Sequence, residues 1–97
     1  MAKGYWIACY RSVSDQTALT EYMKLGGPAL IAAGGKVLAR GGTARVFEAG
    51  IEQRTVILEF ESVEKAIAAY ESDGYKAARA ILGNAAQRDL RIVEGVG

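Results

Sequence analysis

The 97-residue chain contains no histidine. That absence excludes Ser-His-Asp and Cys-His catalysis, histidine-held zinc and haem, and imidazole acid–base chemistry. There is a single cysteine, Cys9. It cannot close an internal disulfide, which fits a reducing compartment and predicts a cytoplasmic protein. Charge of either sign is nearly absent as a surplus: 12 Lys and Arg against 11 Asp and Glu give a net +1. Counterion release from nucleic acid needs a basic surface, so no nucleic-acid partner is expected. Long apolar runs are missing too, because charges or glycines interrupt every stretch, so no membrane span is expected. The apolar core of the opening MAKGYWIACYRS is too short for a signal peptide. Neither G-x-x-x-x-G-K-[ST] nor G-x-G-x-x-G occurs, and no EF-hand spacing does. The expectation is therefore no cofactor and no metal.

What is present is a chain of single-domain length, residues 1–97, with 51% apolar residues and 12 glycines. Tyr5 to Tyr10 reads as a strand with apolar side chains on both faces. Asp15 or Ser14 can cap a helix carrying Ala18, Tyr22 and Leu25 on one stripe, widened by Leu19 and Met23. Gly26-Gly27-Pro28 predicts a kink or restart, and Gly34-Gly35 a helix end. Lys36 to Arg40 reads as a second strand, with Val37 and Ala39 on one face and Leu38 and Arg40 on the other. Gly41-Gly42 predicts a bulge. Arg45 to Glu48 resumes extended, 49–53 turns, and Arg54 to Phe60 is the strongest strand signal. Ser62 caps a helix with Val63, Ala66, Ile67 and Tyr70 on its stripe. After Ser72-Asp73-Gly74 comes a shorter helix bearing Tyr75, Ala78, Leu82 and Ala85. Leu90 to Glu94 is the last strand.

The order βαββαβ predicts an α+β, ferredoxin-like fold: an antiparallel sheet with helices on one face. Two helices cover one face only. The apolar residues of Tyr5–Tyr10 and Thr55–Phe60 on the other face therefore predict a homodimer.

Gly4-Tyr5-Trp6-Ile7, Gly34-Gly35, Arg40-Gly41-Gly42, Glu48, Glu59-Phe60-x-Ser62, Ser72 with Tyr75, and Val93-Glu94-Gly95 stand in order along the whole chain. In this set the chain resembles the small bacterial proteins grouped as domain of unknown function 1330. The resemblance implies the dimeric α/β-barrel superfamily, in which two ferredoxin-like chains join their sheets. Relatives there include monooxygenases, isomerases and dechlorinating enzymes, and proteins with no known activity. One departure stands out. Members often carry arginine in the helix after the tyrosine matching Tyr75, where this chain has Leu82, so any ligand role of that arginine is lost or altered here.

The residues themselves offer few reacting groups. Cys9, mid-strand, reads as a buried structural thiol. Glu59 shares a strand face with Ile57 and Thr55, and a carboxylate on a covered face must be paired or neutral. Arg40 is ten residues before Gly50 and Glu59 nine after it, which predicts that they meet across the hairpin once a bulge at Gly41-Gly42 absorbs one residue. The pair is either a structural salt bridge or a catalytic one, with Glu59 or Glu48 moving a proton. Tyr22, Tyr70 and Tyr75 either pack the core or line a cleft between helices and sheet. Two functions follow from this reading. One is a cofactor-free enzyme acting on a small carboxylated or aromatic molecule. The other is a noncatalytic homodimer that binds a small ligand or another protein.

Overall fold

The structure, a computed structural model, describes residues 2–96. Its elements are β1 (Gly4–Val13), α1 (Gln16–Ala32), β2 (Lys36–Gly41), β3 (Thr55–Phe60), α2 (Val63–Tyr70), α3 (Asp73–Leu82) and β4 (Ala86–Glu94). The strands form one antiparallel sheet in the order β2-β3-β1-β4. This is the ferredoxin-like arrangement expected, with α3 added before the last strand. Two caps, Asp15 and Ser62, are those the sequence indicates, and Ser72 is a third. Asp15 accepts from the Ala18 N–H, Ser62 from Lys65 and Ser72 from Tyr75. Each side chain satisfies one of the first-turn donors that a helix cannot pair internally.

Alternation along β1 decides the two faces. Trp6, Ala8 and Tyr10 are buried beneath the helices with Leu58 and Phe60 of β3. Against them pack Leu19, Tyr22 and Leu30 of α1, Ala66 and Ala69 of α2, and Tyr75, Ala78 and Leu82 of α3. Tyr5, Ile7 and Cys9 point the other way, where no helix lies, opposite Glu59, Ile57 and Thr55. Cys9 is exposed, contrary to the expected buried thiol. An odd position on β1 belongs to the uncovered face.

Three further expectations are corrected. First, α1 runs unbroken through Pro28. The proline costs one backbone hydrogen bond, but Gly27 before it has no Cβ for the ring to strike, which removes part of the usual clash. Packing of the buried face then holds the helix together. On that face Gly26 replaces Leu25, which is exposed. A Cβ on Gly26 would lie 3.0 Å from the Tyr22 ring, so the missing side chain makes room for that ring. Second, 45–48 is not a strand: 42–54 is one irregular loop, tied at its base by Thr43 Oγ1 donating to the Gln53 carbonyl. Third, the bulge falls inside β2, between Val37 and Ala39, rather than at Gly41-Gly42. Leu38 is the extra residue. Val37 and Arg40 thereby share the helix-side face, and Ala39 moves to the other.

Candidate functional site

Between the sheet and α1 lies a cavity of about 290 Å³. Its floor is Trp6, Ala8 and Tyr10 of β1 with Val56 and Leu58 of β3. Tyr22, Met23, Gly27 and Leu30 of α1 form the roof, and Gly27 contributes open space where a side chain would stand. Its charged lining is Arg40 of β2, Arg54 just before β3, and Arg88 of β4. No Asp, Glu or Cys is among the residues that line it. None of the three arginines forms an ion pair among the described residues. An apolar pocket with a few convergent polar groups is the ordinary form of a small-molecule site.

Arg88 is built into this wall. Its Nη1 donates to the Tyr22 hydroxyl at 2.9 Å and to the Tyr75 hydroxyl at 3.2 Å. The two hydroxyls are also hydrogen-bonded to each other. Tyr75 is fully buried and does not line the cavity. Either hydroxyl can be the donor in that bond, and Arg88 donates to both. The Tyr22 oxygen, on the cavity wall, therefore has Tyr75 and Arg88 as its partners. The remaining Arg88 donors lie beside it, with the guanidinium carbon 5.1 Å from the Tyr22 ring centroid.

Burial, with Tyr75 alongside, raises the Tyr22 phenol well above its ordinary value, and Arg88 only partly opposes this. Tyr22 therefore serves as a hydrogen-bond donor at neutral pH and not as a base. The unfolded chain ionises this phenol near pH 10. Its stabilising share is whole below that pH and is lost as pH climbs from there toward the higher folded value. We expect the melting temperature to fall above pH ~10, and to fall less steeply in Tyr22→Phe. Parallel alkaline profiles for the two proteins would contradict this placement of the phenol.

The expected Arg40–Glu59 pair does not form. Glu59 lies opposite Lys36 and Tyr5, whereas Arg40 lies opposite Val56, three residues along β3. They also occupy opposite faces: Arg40 lines the cavity, and Glu59 accepts a 3.0 Å hydrogen bond from the Tyr5 hydroxyl on the uncovered face. The bulge at Leu38 is the cause, since one extra residue reverses which face Arg40 takes. Glu48 is exposed in the 42–54 loop with φ 53° and does not line the cavity. Of the expected Tyr22, Tyr70 and Tyr75, only Tyr22 is on its wall. Tyr75 stands behind it. Tyr70 lines a separate shallow groove with Ile67, Leu90 and Ile92, and its ring carries the Arg79 guanidinium 4.4 Å from the centroid. Leu82 is buried in the core and does not face the cavity.

Sequence reasoning missed Arg54, Arg88, Trp6 and Tyr10 as cavity residues. Two of these had a readable signal. Arg54, Val56, Leu58 and Phe60 alternate, so Arg54 projects on the buried face. Arg88, Leu90 and Ile92 alternate likewise, but the last strand was expected to start only at Leu90 and in fact begins at Ala86.

Fold and cavity together define the class: a ferredoxin-like α+β chain with an arginine-lined pocket between sheet and helices. The chain belongs to the family described as domain of unknown function (DUF1330), whose model matches residues 3–96. Among solved structures it is similar to a protein of unknown function from Rhodopseudomonas palustris. The TM-score is 0.71 at 17% identity, covering 99% of this chain and 84% of that one. A dimeric ferredoxin-like protein of unknown function from Thermobifida fusca matches with TM-score 0.65 at 21% identity, covering 96% and 91%. A Nitrosomonas europaea protein proposed as an antibiotic biosynthesis monooxygenase matches with TM-score 0.63 at 19% identity, covering 97% and 90%. At these identities the likeness concerns the fold. Comparison with curated proteins finds no match.

Proposed function

We propose that this chain is a homodimer that binds a small organic anion with an aromatic or apolar body in the cavity between sheet and α1. The observation that carries the reading is the lining: three arginines and the Tyr22 hydroxyl on an otherwise apolar wall, with no carboxylate among the lining residues to neutralise them. A guanidinium fork matches a carboxylate in two parallel hydrogen bonds, and the Trp6, Val56 and Leu58 surface suits a flat apolar body. Support for the dimer is the uncovered sheet face, where Tyr5, Ile7 and Ile57 meet no helix, and the dimeric Thermobifida fusca neighbour. An exposed thiol at Cys9 fits a cytoplasmic setting.

Trp6 is the only tryptophan and lines the cavity, so its fluorescence reports occupancy. Titration with benzoate is expected to change this emission saturably and to raise the melting temperature, while the neutral isostere benzamide does neither. Equal responses to both would overturn the reading.

A second reading is cofactor-free catalysis. It rests on the Tyr22 hydroxyl and Arg88 lying side by side on the cavity wall, where they would stabilise a developing oxyanion. With no carboxylate on the wall to take a proton, the substrate would have to enter already anionic. Mass spectrometry of a bound molecule after incubation separates the readings: turnover supports catalysis, and recovery intact supports binding alone.

A further inference from the structure

The placement of the arginines says more about the ligand, on the premise that the cavity binds an organic anion. Arg88 is the β4 partner of Tyr10 in the sheet register. On the other side of Tyr10, its backbone N–H donates to the Arg54 carbonyl at 2.9 Å. Arg88 and Arg54 therefore flank Tyr10 in one row across the sheet, two strand spacings or roughly 10 Å apart at the backbone. The Arg88 guanidinium carbon is 5.7 Å from the Tyr10 ring centroid.

The two guanidinium groups differ in what they already hold. Arg88 lines the cavity and spends Nη1 on the tyrosine hydroxyls, and its Nη2 makes no side-chain hydrogen bond among the described residues. The Nε of Arg54 is buried and has no hydrogen-bond partner. That nitrogen is closed to solvent, as is the Nε of Arg79, so a ligand would meet the part of Arg54 that lines the cavity. Arg40 is exposed and screened by solvent, whereas Arg54 and Arg88 are partly buried and feel each other more strongly. A monoanion would neutralise one of these partly buried charges and leave the other unpaired.

We infer that the ligand carries two separate anionic groups on an apolar body, one held by Arg88 with Tyr22 and the other by Arg54. Isothermal titration of the whole protein tests this with two acid pairs, isophthalate against benzoate and 1,4-phenylenediacetate against phenylacetate, with phenyl phosphate and benzamide as further probes. At least one diacid is expected to bind tenfold or more tightly than its monoacid. Arg54→Gln is expected to erase that advantage, and Arg54→Lys, which keeps the charge but not the fork, to retain part of it. Circular dichroism confirms that both variants are folded. Arg88→Gln is expected to weaken diacids and monoacids together. Monoacids binding as tightly as their diacids, yet more tightly than benzamide, would overturn the inference and leave anion binding standing. Phenyl phosphate outcompeting every diacid would overturn the separation of the two groups. Benzamide binding as well as benzoate, or no binding by any probe, would remove the premise as well.

Discussion

Trp6→Ala is expected to cost about 3–5 kcal/mol of folding stability, the range for removing a large aromatic side chain from a core. Trp6 is 1% exposed and sits where every layer of the core meets. Its ring packs edge-on against Tyr75, with centroids 5.2 Å apart and an interplanar angle of 88°. It also lies against Tyr70 at 5.7 Å and Phe60 at 6.3 Å. These arrangements suit the aromatic quadrupole and contribute beyond area burial. Tyr75 is also packed by Tyr70 at 5.5 Å and Tyr22 at 5.9 Å, and Trp6 lines the cavity itself, so the loss reaches the cavity as well as the core. Urea denaturation followed by far-ultraviolet circular dichroism measures the effect, at fixed protein concentration because dimerisation would contribute to apparent stability. Trp6→Phe keeps an aromatic ring and should cost less. A loss below about 1 kcal/mol for Trp6→Ala would mean that the surrounding side chains collapse into the space, and that Trp6 does not organise this core.

Light scattering at low micromolar concentration is expected to give twice the 10.3 kDa mass of one chain, and Ile7→Glu is expected to halve it. Ile7 lies on the uncovered face directly opposite Ile57, with Arg91 across the other edge. Around this apolar centre the face is already satisfied. Asp89 takes Arg91 at 3.0 Å and Arg11 at 3.2 Å, and Tyr5 donates to Glu59. The hydrogen bond from Arg91, with both arginines nearby, holds the Asp89 carboxyl below its ordinary value. An apolar centre inside a polar rim is the usual anatomy of an interface, and an obligate one of this kind buries at least ~2,000 Å² in total. A carboxylate at position 7 would be desolvated there, with its cross-strand cation Arg91 already held by Asp89. The dissociation constant should rise at least about a hundredfold, roughly 2.7 kcal/mol. Ile7→Thr, milder and compatible with a strand, guards against simple misfolding. A folded wild-type monomer at that concentration would overturn the dimer, and an Ile7→Glu variant that stays dimeric would move the interface elsewhere.

The fold was legible because its signals are local. Asp15 and Ser62 cap where helices begin, and the short apolar runs rich in aromatic and β-branched residues at Tyr5–Tyr10 and Thr55–Phe60 mark the central strands whatever surrounds them. Tyr22 reached the cavity wall for the same reason, since helical period alone puts it on the buried stripe of α1 with Leu19 and Leu30. The run of α1 through Pro28 was not legible, because packing against the sheet outweighs one missing hydrogen bond. The candidate site was legible only in part. Arg40 was singled out, but its partner and its face were wrong, because one bulged residue at Leu38 reverses a strand and nothing in Lys36–Gly41 announces where that residue falls. The sequence by itself determined a ferredoxin-like α+β chain whose chemistry lacks histidine and whose sheet is apolar on both faces. Only the tertiary structure decided that Arg54, Arg88 and Arg40, from three different strand positions, share one cavity while Glu59 faces away from it. Strand register and the bulge set that convergence, and both are fixed by contacts between residues far apart in the chain.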